Sequence, residues 1–299
     1  MSSEDVIEAG RRRFNRVALA PSLVVLLAIA GLPALYLFVV SLTPFQLANP
    51  GSGSDFSAPL RNYLLLPGDP RFVNSLFVQA KLSFWGVLLQ VICGTGLALL
   101  LNVKSRVVEF SRSFFLIPMV LPPIVVAVIW KLVYTPDISP LYYAASLLHV
   151  TLPALTSDVN FALWSIIIAD TWEWLPFTFL MVLAALQTIP DEYAEAAKVD
   201  GANPLQIFLY VTLPFITPIL IVSAMFRLID SVKAFPLIFL LTQGGPGDVT
   251  EVTNYYAYLL AFDNNEIGYS GAVTVVMLLL VCAVSLGVLW MGRRREALA

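Results

Sequence analysis

Charge is scarce in this chain. Of its 299 residues, 12% are Asp, Glu, Lys or Arg, about half the share of a soluble domain, and 59% are hydrophobic. That balance leaves little room for a separate soluble domain. The net charge is −3, with no basic stripe, which argues against nucleic acid as a partner. Histidine is nearly missing. His149 stands alone, with no Cys or carboxylate around it at ligand spacing, so no metal site is expected. Without a Ser/His pair, a second His or an H-E-x-x-H run, intramembrane enzyme chemistry has little to start from. The two cysteines, Cys93 and Cys282, sit inside apolar runs and say little about a disulfide or a redox compartment. No G-x-x-x-x-G-K-[ST] run occurs, so the chain itself is expected to bind no ATP and to need no cofactor.

What is abundant is long apolar sequence. About 20 residues cross the hydrocarbon of a bilayer, and six stretches are long enough: 17–42, 76–101, 114–133, 161–186, 215–241 and 269–291. The first is too long for a signal-peptide core and contains Pro21 and Pro33, so it reads as an uncleaved helix despite a faint twin-arginine likeness at Arg12-Arg13-Phe14. The third carries Pro118, Pro122 and Pro123, tolerated where neighbours satisfy the freed carbonyls. An all-α membrane protein with six transmembrane helices is predicted. Residues 1–16 form an N-terminal segment, 17–291 the membrane domain and 292–299 a tail.

Orientation follows from Lys and Arg. Eleven fall on one side: Arg11, Arg12, Arg13, Arg16, Lys104, Arg106, Arg112, Lys198, Arg293, Arg294 and Arg295. The other side holds two, Arg61 and Arg71. The positive-inside rule places both termini in the cytoplasm.

Several ionisable residues interrupt the apolar runs. Arg227, Asp230 and Lys233 recur every three residues in the fifth run and share a face. Arg227 falls near the middle of that run, about 18 Å from Phe215 by helical rise. Asp170 and Glu173 share a face of the fourth run beside Trp172 and Trp174. Charges at such depth face a bundle interior, a partner or water. Carboxylates beside indole rings suit hydroxyl-rich ligands. Two readings stay open for each residue: lining a translocation path, or pairing with one another to hold helices together.

Between the fourth and fifth runs lies a polar interruption at about 190–213. Ala and Glu favour a helix over 192–199. Asp200-Gly201 breaks it. Asn203-Pro204 restarts it as N-cap and first helical residue, and Leu205, Phe208 and Leu209 give the second arm an apolar face.

This elbow resembles the EAA loop of the permease subunits of binding-protein-dependent ABC importers: Glu195-Ala196-Ala197, Asp200-Gly201-Ala202, then Leu213-Pro214 and Pro218. Leu241-Thr242 with Gly244-Gly245-Pro246, then Tyr256, Phe262 and the run from Gly268 to Ala272, look like the carbohydrate-importer permeases related to the maltose permease subunits. The resemblance spans about residues 160–290; the first 70 match only in layout. It implies a type I ABC importer permease fold in a bacterial or archaeal cytoplasmic (inner) membrane. The implied partners are a second permease subunit of a different chain, a cytoplasmic ATPase dimer that holds ATP and Mg, and an extracytoplasmic solute-binding protein. It implies that Glu195, Ala196, Ala197, Asp200, Gly201, Ala202, Leu205 and Phe208 couple to the ATPase, Glu195 by a salt bridge to an ATPase arginine. The implied cargo is a sugar, polyol or glycoside. Amino-acid or phosphate-ester import, and an ion-driven secondary transporter, remain as alternatives.

Overall fold

The computed structural model describes residues 18–103, 110 and 113–296. Arg11, Arg12, Arg13, Arg16, Lys104, Arg106 and Arg112 lie outside these residues, as do the side chains of Arg293, Arg294 and Arg295. Among the described residues there is no strand beyond an isolated bridge between Gln46 and Asn49. The helices are α1 (Ala18–Ser41), α2 (Arg61–Leu65), α3 (Pro70–Leu100), α4 (Ile117–Val120), α5 (Pro123–Tyr134), α6 (Pro140–Leu147), α7 (Ala162–Leu186), α8 (Asp191–Val199), α9 (Pro204–Ser231), α10 (Phe235–Leu241), α11 (Thr253–Tyr258) and α12 (Ile267–Glu296). Five of them, α1, α3, α7, α9 and α12, are long and apolar enough to cross a membrane.

Two of the six expected crossings are broken. The third is split at Leu121 and Pro122. Leu121 precedes a proline and is pushed to an extended conformation (ψ 141°). Pro123 then opens α5 at a position where a missing N–H costs nothing. The fifth is not one helix over 215–241. It begins earlier, at Pro204, and stops at Ser231, and α10 resumes at Phe235. Pro214 and Pro218 therefore do not end the second arm of the elbow. A π turn over Phe208–Thr212 shifts the register, with Leu213 N–H bonded to Phe208 O, and Pro214, which has no N–H, is carried inside the helix. Arg227 consequently lies one turn before the end of α9.

The chain groups into two units. One comprises residues up to Leu66 together with Leu259–Val275. In it the Asn62 amide donates to both Ser41 O and Thr43 O at 2.9 Å, and Gly268 N–H donates to Phe45 O at 2.9 Å. A Cβ on Gly268 would stand 2.0 Å from Thr43 O, so only glycine allows this approach. The exposed surface of α1 is almost wholly apolar, as a lipid-facing helix requires.

The other unit comprises Pro67–Tyr258 and residues from Val276 on. Its core is built on α3, α7 and α9, where Ala98, Phe179, Val182, Leu183, Leu186 and Ile216 are buried together. A Cβ on Gly94 of α3 would lie 2.9 Å from Thr178 Cβ and 3.1 Å from Phe179 N of α7. Ser223 of α9 donates to Thr178 at 3.1 Å. These contacts fix the frame on which the charged residues sit.

Candidate functional site

The elbow is made by local chemistry. Helix α8 carries Asp191 and Glu192 in its first turn and Lys198 in its last, matching the helix dipole at both ends. Gly201 takes φ +81°, a left-handed turn that glycine adopts without a Cβ clash. Asn203 and Gln206 then form a reciprocal capping box, Gln206 N to Asn203 Oδ1 at 2.9 Å and Asn203 N to Gln206 Oε1 at 2.8 Å. No residue of α8 is buried. Glu195, Ala196, Asp200, Gly201 and Leu205 are exposed, and Ala197, Ala202 and Phe208 half-buried. Val199 is 88% exposed, so apolar surface is on offer at the bend. Glu195 makes no ion pair among the described residues.

The intramembrane residues converge. Arg227 is buried and makes three side-chain hydrogen bonds. Its Nε donates to Gln90 Oε1 at 2.8 Å, Nη1 to Asp230 Oδ2 at 2.6 Å and Nη2 to Asp170 Oδ2 at 3.5 Å. Its guanidinium lies over the Trp174 ring, 4.4 Å from the centroid. Gln90 in turn donates to Asp170 Oδ2 at 2.8 Å, and Lys233 pairs with Asp230 at 3.1 Å. Asp230 thus bridges a buried cation and an exposed one. Glu173 is also buried, within electrostatic range of Asp170, Arg227 and Asp230, yet it makes no hydrogen bond or ion pair among the described residues. Helix packing brings these groups together: α3 supplies Gln90, α7 Asp170, Glu173 and Trp174, and α9 Arg227 and Asp230.

Trp172 does not join them. It packs edge-on against Trp130, with ring centroids 5.9 Å apart, and borders a separate apolar pocket of about 480 Å³ with Cys93, Leu97 and Phe115. Sequence reasoning missed Gln90. The available signal was an amide deep in the second apolar run, beyond Gln79 and Lys81 near its start. It also missed a second polar cluster at the head of α3, where Arg71 pairs with Glu251, the Tyr256 hydroxyl donates to Asp69 Oδ2 at 2.6 Å and the Asn74 amide to Asp248 O at 3.0 Å. These contacts tie the loop 242–251 to α3.

The break after α9 is held from the side. Asn254 Nδ2 donates to Val232 O at 2.6 Å and Gln79 Nε2 to Ser231 O at 3.4 Å, so the carbonyls released at the helix end find partners.

The sequence model described as binding-protein-dependent transport system inner membrane component matches residues 86–295. The chain is 36% identical over 285 residues to a probable ABC transporter permease protein of Sinorhizobium fredii, covering 94% of this chain and 92% of that one. It is 34% identical over 287 residues to the trehalose/maltose transport system permease protein of Thermococcus litoralis, covering 95% of each. Its fold matches a chain in the crystal structure of a bacterial ABC transporter involved in the import of the acidic polysaccharide alginate, with a TM-score of 0.81 and 20% identity, over 98% of this chain and 99% of that one.

Proposed function

Because this chain belongs to the family of binding-protein-dependent transport system inner membrane components, we propose that it is the permease subunit of an ATP-driven importer whose cargo is a sugar or a related polyol or glycoside. The cargo class is supported by the Thermococcus litoralis relative, named for trehalose and maltose transport and alike along nearly the whole chain. The family supplies the transport role; ATP hydrolysis belongs to a separate cytoplasmic ATPase pair. A second permease of a different chain and an extracytoplasmic solute-binding protein complete the assembly. Six crossings are counted when 114–133, broken at Leu121–Pro122, is taken as one. Both termini and the elbow lie in the cytoplasm by the Lys and Arg count.

The observation that carries the coupling mechanism is the exposed elbow at 191–206 running without interruption into α9. Glu195, Ala196, Ala197, Asp200, Gly201, Ala202, Leu205 and Phe208 engage the ATPase there. α9 spans 28 residues, about 42 Å at 1.5 Å per residue, and carries Arg227 and Asp230 near its far end. Closure of the ATPase pair pulls the elbow. The rod then moves Arg227 and Asp230 relative to Asp170, Glu173 and Trp174. Lys233 sits at the rim; Trp172 contributes to the wall of the path rather than to the charged centre.

The test is reconstitution with both permeases, the ATPase and the binding protein, measuring labelled-sugar uptake and ATP hydrolysis together. Glu195→Lys and Gly201→Asp should assemble, hydrolyse ATP and transport little. Full uptake by both would refute the coupling role. Uptake that follows a proton or sodium gradient and ignores ATP would favour an ion-driven transporter instead.

A further inference from the structure

We infer that α2 is an interfacial anchor: Leu60, Leu64 and Leu65 sit among phospholipid chains at one surface of the bilayer and Arg61 sits on lipid phosphate, which holds the end of α1 at that height. The inference needs only that α1 crosses the membrane, and it stands apart from the cargo and coupling readings above.

Height is set by α1. That helix is long and apolar enough to cross a membrane, its surface is almost wholly exposed, and it ends at Ser41. Two neighbouring side chains of α2 clasp that end. The Asn62 amide donates to Ser41 O and to Thr43 O, each at 2.9 Å. Ser41 Oγ gives its own proton to Phe38 O at 2.7 Å, so the Tyr63 hydroxyl is the donor in its 2.6 Å contact with Ser41 Oγ. α2 therefore lies level with the end of a helix that crosses hydrocarbon, where lipid chains give way to headgroups. Tyrosine is enriched at that depth, its ring apolar and its hydroxyl polar.

The face of α2 turned away from that clasp is apolar. Leu64 N–H bonds to Leu60 O at 3.0 Å, so Leu60 shares the helical frame. Successive residues in that frame are about 100° apart, which puts Leu60, Arg61, Leu64 and Leu65 on one side and Asn62 and Tyr63 on the other. All four of the first group are exposed, Leu64 by 78%. With Ala58 and Pro59 they line an apolar cleft of about 370 Å³. Three leucines that the fold leaves uncovered gain their burial from lipid chains instead. Arg61 supplies the charge match. It makes no ion pair among the described residues. Asp55 lies within its electrostatic range, but the Asp55 carboxylate already accepts from Ser57 N–H at 2.9 Å. An arginine beside an apolar face lays its stem along the chains and lifts its fork to the headgroups, where phosphate accepts two parallel hydrogen bonds. A phospholipid offers both halves of that pattern in one molecule.

The experiment uses the full assembly in phospholipid nanodiscs. Cys93→Ser and Cys282→Ser remove the two native thiols, and a nitroxide is attached through Leu64→Cys or Arg61→Cys. Power saturation reads its collisions with oxygen, which concentrates in lipid, and with a nickel chelate, which stays in water. At position 64 the oxygen-to-nickel ratio should exceed that of a free nitroxide in buffer by at least about fivefold, as for a side chain below the headgroups. At position 61 it should fall between the two. A ratio at 64 equal to that in buffer would place the leucines in water and overturn the inference. Suppression of both collision rates at 64 would place a protein surface there, such as the partner permease, and would overturn it as well. A ratio at 61 no lower than at 64 would overturn the phosphate contact. The unsubstituted chain gives a second reading if a labelled variant fails to assemble. In nanodiscs carrying a phospholipid with a diazirine beside its glycerol, light should attach lipid within residues 58–65. Lipid adducts on α1 or α3 with none at 58–65 would overturn the inference. None of these failures touches sugar uptake or its dependence on ATP, so the transport reading would stand.

Discussion

Arg71 and Glu251, 180 residues apart in the chain, meet through two parallel hydrogen bonds, Nε to Oε1 at 2.7 Å and Nη2 to Oε2 at 2.6 Å. The fork geometry is the one in which a guanidinium and a carboxylate bind best. The two side chains are unequally placed: that of Arg71 is 48% exposed and that of Glu251 3%. Removing the arginine therefore strands a buried carboxylate, whereas removing the glutamate frees a solvated cation.

That asymmetry sets the first prediction. Arg71→Ala should destabilise the protein by about 1–3 kcal/mol, the range for an orphaned buried polar group. Glu251→Gln should cost less, because an amide can still accept from Arg71. Thermal unfolding in mild detergent reads both, and equal losses would contradict the unequal burial.

Gln90 stands between Arg227 and Asp170, accepting from one and donating to the other. Gln90→Leu keeps the approximate volume and deletes both bonds. Two buried charged groups then lose a partner each, and a loss of about 2–5 kcal/mol is expected. A leucine variant as heat-stable as wild type would show that the amide is not needed to hold the cluster.

Two glycines of α3, one at the α7 contact and one facing open space, give a matched pair. Gly94→Ala drives a methyl to 2.9 Å from Thr178 Cβ and should cost about 1–3 kcal/mol through overpacking. Gly96 has nothing within 4 Å of an added Cβ, so Gly96→Ala should be neutral or gain up to about 1 kcal/mol from helix propensity. Comparable midpoints for the two variants would mean that α3 and α7 are not in close contact.

In the elbow, Asn203→Ala deletes the cap on Gln206 N–H and should cost about 1 kcal/mol locally. Gly201→Val forces a β-branched residue to φ +81° and should cost about 1–2 kcal/mol, with Gly201→Asn milder because Asn tolerates that region. Hydrogen exchange at residues 205–207 reports both directly, and unchanged protection in Asn203→Ala would show that the capping box does not hold the bend.

Legibility in the sequence tracked how local the cause was. The α7 helix was readable to within a residue, because its apolar run is bounded by a loop before it and by Pro190 after it. The elbow was equally plain, since Gly201, Asn203 and Pro204 each act on the backbone beside them. The break at 232–234 was not, because no Gly or Pro sits in Val232-Lys233-Ala234. What holds it open comes from Gln79 and Asn254, side chains distant in the chain. The only local hint was Pro236 just beyond. The three-residue spacing offers Asp230 to both Arg227 and Lys233, and it pairs with both. Gln90 is not legible in the sequence, because an uncharged amide carries no sign of which ion pair it joins. Arg71–Glu251 is a tertiary pair with no spacing to read.

The unbroken course of α9 also constrains rotation. Beyond the π turn at Phe208–Thr212 the helix runs unbroken to Ser231 and carries torque as well as thrust, so the azimuth of Arg227 follows that of Leu213, fourteen positions upstream. Whatever grips the bend thereby chooses which neighbours the guanidinium can face, without coming within tens of ångströms of it.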